Sequence, residues 1–146
     1  MNTVIIDEHE FVHWGVSEFL SKSSFNVVAH CHTLRDYLQL KASGLVVDLV
    51  LTESIVGGIE LPGVVNVIKQ PLDKTKLIVF SEFDDPASIQ RAKDLGADGY
   101  IFKNVTASEF VSQLRDFRRY GSIWTHNRPE LTTNMGSIGI ATANAS

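Results

Sequence analysis

Five short apolar runs, spread along most of the chain, constrain its fold more than any other feature. They are Val4-Ile5-Ile6, Phe25 to Ala29, Val46 to Leu51, Leu77 to Phe80 and Tyr100-Ile101-Phe102. Most are continuous rather than alternating, and they are rich in β-branched and aromatic residues. Strands buried on both faces read this way, because helices above and below leave neither face to water. Stretches with helical spacing lie between them. Val12, Val16, Phe19 and Leu20 share one face, and Phe110, Val111, Leu114 and Phe117 share another. Successive strands start roughly 20 to 30 residues apart, which suits repeated βαβ units. The expectation is an α/β chain of five βα units, with a parallel sheet and helices on both faces.

The boundaries carry signals of their own. Thr33 precedes a helix over Leu34 to Lys41, and Gly44 follows it as a stop. Asp85-Pro86 places a cap and then a proline at the first helical position. Thr106-Ala107-Ser108-Glu109 has the form of a capping box. After about Arg119 the pattern stops, so the domain is expected over 1–119. Residues 120–146 read as a linker or tail, partly disordered, although Ile123 and Trp124 would be exposed if Gly121 to Leu131 did not pack.

Composition removes several classes. The chain has 146 residues, 13 Lys and Arg against 17 Asp and Glu, and a net charge of −4, a poor start for a generic nucleic-acid binder. A lone cysteine, Cys31, excludes a disulfide scaffold and reads as a small buried hydrophobe. No apolar run nears the ~20 residues that span a bilayer. The start turns acidic after Val4-Ile5-Ile6, unlike a secretory signal. The chain is expected to be soluble and cytoplasmic, without a membrane partner.

In an open parallel sheet, ligands collect at the carboxyl ends of the strands. Asp7, Glu8 and His9 follow the first, Glu53 the third, Ser81 and Glu82 the fourth, and Lys103 the fifth. Converging carboxylates suit Mg²⁺, which prefers oxygen ligands, and a hydroxyl with a lysine suits a phosphoryl group. Without a cation the carboxylates repel, by roughly 1 kcal/mol at ~4 Å in water and ~4 at an effective dielectric of 20. One lysine does not offset four of them, so metal or proton uptake is expected. His13, beside Trp14 on the first helix, reads as a partly exposed surface residue. His30 and His32 point away from the face that Cys31 takes, because adjacent strand residues alternate.

This constellation resembles the receiver domain of two-component response regulators, with the NarL/FixJ (LuxR-type) subgroup most similar. Val4-Ile5-Ile6-Asp7-Glu8-His9 resembles the first strand and acidic pair. Asp48-Leu49-Val50-Leu51-Thr52-Glu53 resembles the third strand ending at the phosphoacceptor, and Leu77 to Ser81 the fourth with its Thr/Ser. Gly96-Ala97-Asp98-Gly99-Tyr100-Ile101-Phe102-Lys103, with the switch aromatic and the lysine, is the most specific match. The resemblance covers about residues 2 to 118. It implies a doubly wound, flavodoxin-like and CheY-like (βα)5 fold with a five-stranded sheet in the order 2-1-3-4-5. It implies a phosphorelay signalling protein rather than an enzyme, with a histidine kinase as a partner. Asp7, Glu8 and Glu53 then stand at the Mg²⁺ positions, and Ser81, Tyr100 and Lys103 at the switch and phosphoryl-contact positions.

The departures bear on function. Glu53 stands where the family has its phosphoacceptor Asp. Its stem is one methylene longer, which brings the carboxylate about an ångström nearer the lysine and hydroxyl, more than phosphotransfer alignment tolerates. The loop Ile55-Val56-Gly57-Gly58 lacks the family's proline and is expected to be more mobile. Glu82 replaces a small residue and would repel an anionic donor. Together these point to an atypical receiver, independent of phosphorylation, with Glu53 reaching toward Lys103 and Ser81 as a partial mimic of the phosphorylated side chain. Such a module would control transcription through dimerisation or protein contacts. The alternative is a receiver that accepts phosphate on Glu53 with Mg²⁺.

Other classes fit less well. A cobalamin motif needs glycine three residues after His9, where Val12 stands; a flavin site needs a Ser/Thr-rich first loop, and this one is acidic. A haloacid-dehalogenase hydrolase needs two aspartates spaced by two, which Asp7-Glu8-His9 does not supply. The resemblance implies a homodimer through the first and last helices or the face from the fourth strand to the fifth helix, with Arg115, Arg118 and Arg119 in cross-interface ion pairs. DNA would be reached only through an output domain absent from this sequence. Pro129-Glu130-Leu131 resembles the start of the family's linker, and an excised domain and a stand-alone protein both fit.

Overall fold

Most of the apolar runs become strands because helices cover both of their faces; the run around Val27 and Val28 forms an edge strand that stays partly exposed. The structure is a computed structural model that describes residues 1–124. Its elements are β1 (Asn2–Ile6), α1 (Glu10–Leu20), β2 (Asn26–Cys31), α2 (Leu34–Ala42), β3 (Leu49–Thr52) and α3 (Leu61–Ile68), then β4 (Lys76–Ser81), α4 (Pro86–Asp94), β5 (Gly99–Phe102), α5 (Ala107–Tyr120) and β6 (Ile123–Trp124). Every strand pair is parallel, in the order β2-β1-β3-β4-β5-β6. On one face Val4, Ile6, Val50 and Val79 pack with Tyr37, Val64, Ile68 and Ile89 of α2, α3 and α4. On the other, Ile5, Leu51, Ile78 and Ile101 pack with Val16 and Leu20 of α1 and with Phe110, Leu114 and Phe117 of α5. Neighbouring strand residues therefore feed opposite cores, as continuous apolar runs require.

The sheet has six strands where five were expected. Gly121 takes a left-handed conformation at φ 83° beyond α5 and turns the chain back. Ile123 and Trp124 then lie along the outer edge of β5, opposite Gly99 and Tyr100. Two residues carry no readable strand pattern; their apolarity is the only signal. The tail reading beyond Trp124, including Pro129-Glu130-Leu131, lies outside the described residues.

The helix starts form as read. Thr33 and Thr106 each accept the N3 amide while Asp36 and Glu109 reach back, and Asp85 accepts the Ser88 amide. The loop after β3 was expected to loosen. It closes as a tight turn instead, Val56 and Ile59 exchanging amide–carbonyl bonds of 3.0 and 2.9 Å. Gly57 (φ 56°) and Gly58 (φ 78°) supply the two positive angles that a type I′ turn demands. The face of α1 is also turned from its expected position: His13, Val16 and Leu20 are its buried residues, and Phe19 lies at the margin.

Candidate functional site at the carboxyl ends of the strands

Four strands deliver the site. Asp7 leaves β1, Glu53 leaves β3, Ser81 closes β4 and Lys103 leaves β5. The Lys103 ammonium bonds Asp7 Oδ2 at 2.7 Å and Glu53 Oε2 at 2.8 Å. All three side chains are withdrawn from water, at 11% exposure for Lys103, 2% for Asp7 and 15% for Glu53. Asp7 Oδ1 accepts the His9 backbone amide at 2.8 Å and faces His9 Nδ1 at 3.0 Å. Glu53 Oε1 accepts the Ser54 amide at 2.6 Å and the Ser54 hydroxyl at 3.0 Å. The Ser54 and Ser81 hydroxyls lie 3.3 Å apart.

Ser81 extends this line to the switch tyrosine. Its Oγ accepts the Phe83 amide at 3.2 Å, and the buried Tyr100 donates its hydroxyl to the Phe83 carbonyl at 2.6 Å. One residue of the β4–α4 loop is thus held by Ser81 at its amide and by Tyr100 at its carbonyl.

The electrostatics follow from one cation between two anions. Burial works to raise the pKa of Asp7 and of Glu53, but hydrogen bonds and charge from Lys103, with the His9 and Ser54 amides, outweigh it and hold both below their ordinary values. Burial works to lower Lys103, and the two carboxylates outweigh that and raise it. Burial, joined by the Glu53, Asp84 and Asp85 charges, raises Tyr100. A desolvated pair of this kind depends on every partner being present.

Glu8 and Glu82 stand apart from this triad. The exposed Glu8 accepts the Gly57 amide and so ties the loop after β1 to the turn after β3. Exposed Glu82 lines an open cleft of about 910 Å³ beside Lys103, together with Asp84, Asn104 and Glu109. The expected Mg²⁺ positions, Asp7, Glu8 and Glu53, are engaged with protein donors in this arrangement. Lys103 takes one oxygen of Asp7 and one of Glu53, amides take the others, and Glu8 turns to Gly57. Among the described residues no group of three His, Cys, Asp or Glu side chains is placed to hold a metal. Lys103 offsets one of the two buried negative charges.

Two residues were missed or misread. Ser54 joins Glu53 to Ser81, yet a serine after the acceptor position carries no pattern in the sequence. His13 is 2% exposed, not a surface residue. Its Nε2 donates to the Asp7 carbonyl at 2.7 Å, and its Nδ1 lies 3.0 Å from His30 Nδ1. The spacing of His13, Val16 and Leu20 on one stripe was the available signal. Cys31 is buried as expected, and burial, with the Asp36 charge, pushes its thiol up to about 11.

This chain belongs to the response regulator receiver domain family, whose model matches residues 3–115. Receiver domains typically bind Mg²⁺ at the phosphorylation site and generally act as signalling proteins rather than enzymes. The response regulator protein VraR of Staphylococcus aureus is 27% identical over 136 residues, covering 92% of this chain and 63% of that protein. VraR of Staphylococcus saprophyticus is 28% identical over 116 residues, 79% of this chain and 55% of its own length. This chain therefore spans somewhat over half the length of these relatives. The signal receiver domain of NarL from Mycobacterium tuberculosis superposes with a TM-score of 0.70 at 28% identity, covering 82% of this chain and 96% of that one. The isolated receiver domain of RcsB from Salmonella enterica serovar Typhimurium, with phosphomimetic BeF3⁻, gives 0.75 at 20% identity, covering 89% and 94%. That likeness establishes the CheY-like, flavodoxin-like fold. Among the described residues no helix is long and apolar enough to cross a membrane.

Proposed function

We propose that this chain is an atypical receiver that has left conventional phosphotransfer and holds its switch through Glu53. The observation that carries the reading is the 2.8 Å bond from Lys103 to Glu53, made while Ser54 joins the same carboxylate to Ser81. A phosphoryl group on a shorter aspartate would offer oxygens to that lysine and hydroxyl. Glu53 offers a carboxylate there permanently. Exposed Glu82 and Asp84 in the adjoining cleft add negative charge that an anionic donor must overcome.

The output on this reading is a protein contact. Phe11 and Trp14 on α1 are 84% and 70% exposed, and Arg115, Arg118 and Arg119 are exposed on neighbouring α5. These features support a homodimer through the first and last helices. RcsB has been seen as two dimers on two parallel DNAs. By analogy, we assign this chain a cytoplasmic role in transcription control, with a histidine kinase as the ancestral input and DNA reached through a separate output domain.

The test is an intact-mass measurement after incubation with Mg²⁺ and a small phosphodonor. The expected result is an unchanged mass for this chain and one added phosphoryl group for Glu53→Asp. A phosphoryl adduct that disappears in Glu53→Ala overturns the reading and establishes Glu53 as a Mg²⁺-dependent acceptor.

A further inference from the structure

We propose that β6 is a strap whose docking reports the state of Tyr100 to the chain leaving the domain. Tyr100 is the meeting point. Its backbone lies opposite Trp124 in the β5–β6 pair, and its hydroxyl holds the Phe83 carbonyl. Phe83 is held in turn by Ser81, Ser81 by Ser54, and Ser54 by Glu53. The switch residue therefore touches the site with its side chain and the strap with its main chain.

The sequence provides for close docking. A Cβ on Gly99 would lie 2.9 Å from both the Ile123 carbonyl oxygen and the Ile123 Cγ2, so only glycine lets the strap approach this near. Gly121 supplies the reversal out of α5. Trp124 is half-buried against the core on the α4 side, with the Lys93 ammonium 4.9 Å from its ring centre. These contacts give the strap a defined seat. A two-residue edge strand nevertheless belongs to the low end of local stability, where small changes in a neighbour shift the docked population. A displaced Tyr100 disturbs both the strand pairing that holds Trp124 and the core cluster against which Trp124 packs.

The input side of this inference rests on the reading of Glu53 given above; the link between Tyr100 and the strap does not. The experiment uses the full chain carrying Trp14→Phe, which leaves Trp124 as its one tryptophan. Acrylamide quenching of Trp124 and amide hydrogen exchange at Ile123 and Trp124 are read together. Gly99→Val is expected to raise quenching several-fold by displacing the strap, and Lys93→Ala, on the surface, provides a milder release that does not perturb the sheet. Tyr100→Phe, which removes only the hydroxyl, is expected to raise exchange at both amides at least threefold, and Glu53→Gln to do the same. A strap freed by Gly99→Val or Lys93→Ala but unmoved by Tyr100→Phe is a static fixture and overturns the proposal. So does a Trp124 that neither release variant frees. If Tyr100→Phe loosens the strap and Glu53→Gln does not, the strap proposal stands and Glu53 as its input falls.

Discussion

At the scale of single residues, Lys103 decides whether the site is stable, because one ammonium satisfies two carboxylates that burial would otherwise neutralise. Lys103→Met is expected to cost about 3 kcal/mol at pH 7, since it strands two desolvated anions. That loss should shrink on acidification to pH 5 as the unpaired carboxyls take up protons, which urea unfolding at both pH values measures. The intact protein should behave in the opposite way. Asp7 and Glu53 are held below their ordinary values of 3.8 and 4.5, so their contribution is present above those values and fades as pH falls through the lower folded ones. Lys103 is raised above 10.5, so its contribution is present below that value and fades as pH rises through the higher folded one. A urea midpoint that rises between pH 5 and pH 3 would contradict this. Asp7, Glu53, Ser81 and Lys103 were legible because strand ends can be counted from apolar runs. Ser54 was not, because its role depends on where the Glu53 carboxylate turns, and no periodicity encodes that.

At the scale of elements, local chemistry was readable where a side chain bonds its own backbone. Thr33, Asp85 and Thr106 cap helices from the positions that their sequence context indicates. Thr106→Ala should lower the unfolding free energy by about 1 kcal/mol, visible as a lower thermal midpoint. The β3–α3 turn was misjudged because the absent proline suggested slack, whereas two adjacent glycines with positive φ suit a tight reversal. Gly57→Ala should cost about 1–2 kcal/mol through the left-handed angle alone, and calorimetry gives the number. The strain would also reach Glu8, whose carboxylate holds the Gly57 amide. Strand β6 escaped notice for a different reason: it is too short to show alternation, and its place depends on Gly99, twenty-four residues before its partner Ile123 and beyond the reach of any local pattern.

At the scale of the molecule, the proposed dimer makes a direct prediction. Trp14→Glu places a charge on the exposed face of α1 and should shift sedimentation toward monomer without altering the circular dichroism spectrum; a monomeric parent removes α1 as the contact. The parallel sheet also fixes when the site can exist. The Lys103–Asp7 bond spans 96 positions of sequence, and the Lys103–Glu53 bond spans 50. During synthesis from the amino terminus, Asp7 and Glu53 emerge long before their counter-ion. A nascent chain that ends after β4 holds every helix of one core face except α4, yet its acidic crevice is bare, and β3 and β4 must align against that repulsion. Emergence of β5 supplies the missing strand edge and the neutralising charge in the same few residues. Completion of the sheet and discharge of the crevice are therefore one cooperative event, with Lys103 as the latch that commits the chain to its folded form.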